Sequence, residues 1–465
     1  MTDMPHMTSA AIAVNRFGLG ARPDESPPAN PKGWLLGQFE LYQAAPAAWA
    51  NQPRTAALAS ELLEQQRELR MADADAKQAA RKSLGRETLA TYRAAVNARV
   101  ASALTTPAPF VERLVHFWAN HFALSTEKIP VATLAGAFEV EAIRPHVLGR
   151  FDDMLLAVET HPAMQIYLDQ ARSVGPNSLA AVRAAQRNPD HPRGLNENLA
   201  REIMELHTLG ARSGYTQADV TEFARALTGW SIEGMGGGQA GSGGAGSFVF
   251  REQLHEPGER IVLGRRYDQP GQDQAGAVLR DFAAAPATAQ HISGKLARHF
   301  VGDTPPPALV ERLSSVFIGS NGDLPSVYRA LIEAQQSWVP NPVKFKTPWD
   351  WTLSSMRGLG WQDVSKIQCA QMLTQLGQPT WRPGSPAGYD DIAGSWAAPD
   401  ALVRRVELAQ RFAAQVGDGH DPQLLGRTLL GGGALSAPTS EAVREADNPT
   451  TAIALLLVSP DFQRR

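Results

Sequence analysis

The chain has 465 residues, enough to bury a large core as one big domain or two, and carries a formal net charge of −3 with a sequence pI near 6.4. That balance leaves no basic footprint, which argues against nucleic acid as a partner. The single Cys369 excludes an intramolecular disulfide and a cysteine-based zinc site and is expected as a buried thiol, and no run of about 18 apolar residues predicts a membrane span.

The opening Met-Thr-Asp-Met-Pro-His-Met has neither a basic region followed by an apolar core nor a twin-arginine motif. The chain as given is therefore expected in the cytoplasm, and in the periplasm if an export signal was removed or the start is misplaced. Residues 54–104 read as long amphipathic helices, whose stretches 64–70 and 77–86 alternate charge sign as solvated faces do. A helix over 110–124 follows the start signal Thr106-Pro107, with Leu114, Phe117 and Trp118 on its apolar side. Within it His116 and Asn120 share a face while His121 points elsewhere, and neither histidine pair has the spacing that puts two imidazoles on one metal. Neutral histidines bonded to backbone in an aromatic core would explain them as well as chemistry would.

Helical patterns continue to Tyr167-Leu-Asp169, where an acid closes an apolar run. Asp169 would pair with Arg172, cap the next element, or stand at the mouth of a cleft. The stretch 194–210 then concentrates three carboxylates, a histidine, an arginine and two asparagines in one predicted helix. Leu195, Leu199, Ile203 and Leu206 form its core stripe, and Asn198, Arg201, Glu202 and Glu205 line the opposite side. His207 projects away from the two glutamates, so any site there needs a second segment. As a plain solvated face, Arg201 would pair with Glu197 and Glu205; the asparagines, weak helix formers, favour a more specific role.

Residues 234–247 are almost wholly Gly, Ala, Ser and Gln, a flexible insertion without the Gly-Lys-Ser/Thr of a phosphate cradle. One β-hairpin is expected, 247–250 paired with 260–263 across Glu256-Pro-Gly-Glu259, with His255 in its turn. Helices return over 275–317 and 325–361, a Trp- and Pro-rich segment spans 377–396, and two helices close the chain. The indoles of Trp349, Trp351, Trp381 and Trp396 would stack on a ligand or plug gaps between helices. Together these patterns predict a mainly α, multi-helical single large domain with one small β-hairpin. Its main helical part would cover 1–340, including the insertion, and a helical C-terminal subdomain 341–465.

The motif Asn196-Glu-Asn-Leu-Ala-Arg-Glu-Ile-Met-Glu-Leu-His-Thr-Leu-Gly210 resembles the signature of the bacterial domain of unknown function 1800 family. Phe117-Trp-Ala-Asn-His-Phe122, Ile143-Arg-Pro-His-Val-Leu-Gly149, Pro162-Ala-Met-Gln-Ile-Tyr-Leu-Asp169, Gly214-Tyr-Thr-Gln-Ala-Asp-Val220, Leu227-Thr-Gly-Trp230 and Leu455-Leu-Leu-Val-Ser-Pro-Asp-Phe-Gln463 agree in the family's order. The resemblance spans nearly the whole chain and covers His121. His255-Glu-Pro-Gly258 resembles the family's His-Asp-x-Gly element, with Glu256 where Asp is usual. The family implies no assigned chemistry, and relatives encoded beside a second family with export signals leave the compartment open.

The chain has no Gly-x-Ser-x-Gly elbow, P-loop, dinucleotide fingerprint or His-Glu-x-x-His, which argues against covalent serine or cysteine catalysis and nucleotide chemistry. The expectation is a carboxylate/His-based hydrolase or related acid–base enzyme, with Asp169, Glu202, Glu205, His207 and His121 as catalytic candidates. Asn198, Arg201, His255, Trp381 and Trp396 are the substrate-binding candidates. Paired carboxylates whose environments push their pKa values apart can serve as acid and base. A divalent metal such as Mn, Fe or Zn suits the mixed oxygen and nitrogen ligand set. The alternative is a non-catalytic helical module that binds or assembles a neighbour-encoded partner protein; substrate and partner are unassigned.

Overall fold

The computed structural model describes residues 6–187, 194–235, 244–342, 344–416, 420–433 and 435–465. Helices dominate, as the leucine periodicity near 3.6 predicts. The expected charged segment forms helices Thr55–Met71 and Ala74–Thr105. The tail closes with helices Pro399–Val416, Pro422–Leu429, Ala437–Arg444, Pro449–Val458 and Pro460–Gln463, more than the two expected. Prolines at N1 or N2 and the side chains of Asp421, Ser436, Asn448 and Ser459 restart the chain each time.

The strand pairing differs from expectation. Phe248–Phe250 pairs with Trp230–Ile232, and Arg260–Val262 pairs with Arg265–Tyr267, both antiparallel. The Pro-Gly turn therefore does not join a hairpin. Leu263 and Gly264 both have positive φ, 50° and 75°, and this two-residue turn folds the second strand pair back on itself. A tight local turn beats the longer loop because it closes less chain and matches strand twist. The insertion's centre, 236–243, lies outside the described residues. At its edges Glu233 N donates to Ser247 O (2.8 Å) and Gly246 N to Glu233 O (3.0 Å), while Gly246 packs against Ala59.

Two large hydrophobic clusters, with a small third one around Ala59, Leu62 and Ile232, build the interior. The first gathers helices between Ile12 and Ala334, centred on Pro109–His121. That helix is buried all round, which an amphipathic surface helix would not be. The second gathers Pro348–Gly358, Cys369–Gln375 and the closing helices. It also takes in Val96, Val100 and Leu104 of helix Ala74–Thr105, so residues beyond 340 share their core with the N-terminal part of the chain. Cys369 is a buried free thiol, pushed up to about 12 by burial.

Charges are buried where the two clusters meet. Arg144 forks onto Glu112 (2.9 and 2.6 Å), Arg99 reaches Glu139 (2.6 Å), and Arg113 and Arg465 grip the two oxygens of Asp350 (2.8 and 3.2 Å). Arg113 also donates to Gly18 O (2.7 Å). Each charge has an opposite partner and fixed geometry, the condition under which such groups survive in an interior.

Candidate functional site

A cavity of ≈ 480 Å³ opens along this seam. One wall is the last two turns of helix Pro109–His121, with His116, Asn120 and His121. A second is helix Pro286–Val301, which contributes Lys295, Arg298 and His299. The start of helix Pro348–Gly358 brings Trp349 and Asp350, and a strap over 378–392 brings Trp381, Tyr389 and Asp391. His291, Lys295 and His299 recur every four residues along their helix and so share a face.

Its central feature is a carboxylate–imidazole pair. His299 Nδ1 donates to Asp391 Oδ2 at 2.7 Å, and His299 Nε2 is buried without a hydrogen-bond partner. Burial holds the imidazole below its ordinary pKa despite Asp391, so the ring is neutral and Nε2 carries a lone pair. Although burial works against ionisation of Asp391, the hydrogen bond from His299 and the charges of Lys344 and Arg465 outweigh it and hold the carboxyl far below the usual carboxylate range. Lys344 reaches both Asp391 Oδ1 and Asp303 Oδ1 at 3.0 Å. Asp350 is likewise kept ionised against burial by Arg113 and Arg465.

The other two histidines are neutral as well. Trp349 Nε1 donates to His116 Nδ1 at 3.1 Å, so His116 presents Nε2–H; burial and then Arg99, Arg144 and Arg113 depress its pKa. His121 Nε2 donates to His207 O at 3.1 Å, with burial and then Lys295 depressing its pKa. Lys295 makes no hydrogen bond or ion pair with any described residue, and burial lowers its pKa to about 8 despite Asp391.

Arg99 lies over the indoles of Trp349 and Trp381, 4.3 and 5.5 Å from their ring centres. This stacking holds both rings in place at the cavity wall. The strap is pinned to Asn120, whose Nδ2 donates to Tyr389 O (2.9 Å) and whose Oδ1 accepts from Tyr389 N (2.8 Å). A side chain at Gly388 would collide with the Asn120 carbonyl, and the residue has φ +83°. The strap thus needs glycine there.

Of the catalytic and substrate-binding candidates named from the sequence, His121 and Trp381 line this cavity, together with His116, Asn120 and Trp349, which the sequence patterns also brought out. Trp396 is buried beside it and donates to Asp390 O (2.8 Å). His207 lies behind His121, fully buried, with Nδ1 donating to Glu159 Oε1 at 2.7 Å. Asp169, Asn198, Arg201, Glu202, Glu205 and His255 do not line it. Asp169 has φ 59° and accepts from Lys128 Nζ (2.8 Å). Arg201 pairs with Glu197 (3.1 Å) and also reaches Gln217, the solvated-face arrangement. Glu202 and Glu205 are half-buried, and burial, reinforced by Glu205, raises the pKa of Glu202.

The expected long helix is α-helical over Asn198–Glu202 and a wider π-helical turn over Ile203–His207, which leaves Leu206 half-buried and His207 in the core. His255 Nδ1 bonds to Thr228 O (2.8 Å), away from the cavity. Glu256 is buried and accepts from Asn177 N (2.8 Å) and Nδ2 (2.6 Å), so the longer acid is a loop anchor here. Among the described residues no three His, Cys, Asp or Glu side chains are arranged to hold a metal ion. No helix of the described residues is long and apolar enough to cross a membrane.

Lys295, His299, Asp350 and Asp391 were not singled out by sequence reasoning. The four-residue spacing of His291, Lys295 and His299 was a readable signal. Asp391, in a strap with no periodicity, offered none.

A family model described as Protein of unknown function (DUF1800) matches residues 12–464. No curated protein and no solved structure matches the chain.

Proposed function

Starting from a chain that belongs to the DUF1800 family, we propose that it is an acid–base enzyme of the hydrolase kind, with the cavity between its two cores as active site and His299 as general base. One observation carries this reading: on His299, a residue of the cavity lining, a neutral imidazole is oriented through Nδ1 by an ionised Asp391 and keeps a buried Nε2 without a partner. A purely structural histidine would use both nitrogens or face apolar packing. In this reading His299 Nε2 takes a proton from water as the water oxygen bonds to the electrophilic carbon or phosphorus of the substrate. The resulting imidazolium is stabilised by Asp391 and returns the proton to the leaving group as the scissile bond breaks. Trp349 and Trp381 would supply a flat apolar wall for the substrate body.

A second reading, an assembly module without chemistry, draws support from the pairing of Arg99, Arg113 and Arg144 with acids, which a structural network explains. His299 Nε2 and Lys295 lie outside that network, and this favours the enzyme.

The test is turnover of a panel of chromogenic carboxylic esters, amides and phosphate esters by the parent and by His299→Gln. Loss of a general base predicts a fall of about a hundredfold or more. A panel on which the parent turns over nothing, or on which the variant equals it, overturns the reading.

A further inference from the structure

The charges around the cavity do not cancel group by group. Asp350 is matched by Arg113 and Arg465, and Asp391 by Lys344, with the neutral His299 donating a hydrogen bond to it. Asp303 shares Lys344, and Arg99 is matched by Glu139. At the rim, exposed Arg298 offsets exposed Asp390. Lys295 remains: an amine lining the cavity with no hydrogen bond or ion pair to any described residue. Its influence reaches the neighbouring rings, since Lys295 depresses the pKa of both His121 and His291.

A partly desolvated cation without a counterion costs free energy in the empty protein, a cost that an incoming anion relieves. The body of the cavity offers the indoles of Trp349 and Trp381 beside the neutral ring of His116. We propose that the ligand of this cavity carries a carboxylate or phosphate group whose oxygens pair with Lys295, leaving its reacting centre toward His299, one helical turn further along the same face. The inference rests on the assignment of the active site to this cavity and adds the substrate class: small anionic compounds.

Protonation sets the working range. Lys295 titrates near pH 8 in the empty protein, under the influence of Asp391 on the strap, Arg298 on its own helix, and His121 and His291 beside it. A bound anion favours the charged form, so binding is strongest below pH 8 and fades as the amine loses its proton.

The experiment measures acetylation of Lys295 by a limiting amount of acetic anhydride, read by peptide mass spectrometry, in inorganic phosphate, acetate or chloride at one ionic strength and pH 8. Melting temperatures of the parent, Lys295→Met and Lys295→Arg are read in the same buffers at pH 7. Phosphate or acetate should slow acetylation of Lys295 at least fivefold relative to chloride, with surface lysines unchanged. The anion that protects should also raise the melting temperature of the parent and of the arginine variant but not of the methionine variant. Protection by phosphate alone supports phosphate esters, by acetate alone carboxylates, and by both the shared anionic chemistry. Equal acetylation in all three buffers, or an equal melting shift in the methionine variant, overturns the proposal. His299→Gln should keep the protection; if it does while the parent turns over no substrate, or while the variant turns over as fast as the parent, the anion site stands and the general-base reading falls.

Discussion

Two polar regions of this molecule can be set side by side: the half-buried face carrying Glu202 and Glu205, and the cavity at the seam of the two cores. The first is assembled from neighbours in sequence. Its arginine pairs one turn back with Glu197, which Gln217 and Thr221 also hold, and its charges meet water. The second is assembled from residues as far apart as Asn120 and Tyr389, yet its ion pairs are buried and its bonds have fixed partners. A dense motif in sequence marks where polar residues are close along the chain. A site needs them close in space with something left unpaired, and of these two regions the cavity has that, in His299 Nε2 and Lys295.

The contrast is broken most severely at Asp350. Replacing it by alanine leaves Arg113 and Arg465 buried without their partner, and thermal or denaturant unfolding should show a loss of about 3–5 kcal/mol. Glu202→Gln together with Glu205→Gln should cost within about 1 kcal/mol, because half-buried acids facing water lose little. A double variant that melts as far below the parent as Asp350→Ala would erase the distinction between the regions. The pH dependence follows the same logic. The folded-state pKa of Asp350 is depressed, so its contribution is fully present above the unfolded value near 4 and is lost as pH falls below it. Asp350→Asn should therefore flatten the acid limb of the stability curve, which the glutamine double variant should leave steep.

A smaller effect sharpens the role of the strap. Gly388→Ala places a methyl against the Asn120 carbonyl at a positive-φ position, and should cost on the order of 1–3 kcal/mol while raising protease sensitivity between 378 and 392. Unchanged stability and cleavage would mean that the Asn120 clamp does not hold the cavity closed on that side.

The smallest effect carries the opposite sign. Lys295 has a folded-state pKa below its unfolded value, so its charge opposes folding most below about pH 8. Lys295→Met should stabilise the protein by on the order of 1 kcal/mol at pH 7, with the gain shrinking as pH rises above 8 and gone once the unfolded amine also loses its proton near 10.4. A destabilised methionine variant at pH 7 would show that Lys295 has a structural partner.

Much of the fold was legible because it depends on short-range patterns. The helices from Thr55 to Thr105 and the core helix Pro109–His121 follow from spacing, prolines and caps. Strand pairing was misjudged where the Leu263-Gly264 turn competed with a more conspicuous Pro-Gly, because a positive φ at leucine has no sequence signal. Of the cavity, His116, Asn120 and His121 were legible through their motif, and Trp349 and Trp381 as indoles in or beside Pro-rich segments. The partner of His299 was not, since Asp391 lies 92 residues away on an aperiodic strap.

The central claim concerns one ring, and histidine nitrogen NMR reads it directly. With ¹⁵N-labelled histidine and His299→Gln to assign the resonance, the account predicts a neutral His299 at pH 7, protonated on Nδ1 and bare at Nε2. Its pKa should lie below the ordinary 6.5, and the Nδ1–H signal should shift in Asp391→Asn. A ring protonated on Nε2, or an imidazolium at pH 7, would leave no lone pair to act as base and would contradict the account.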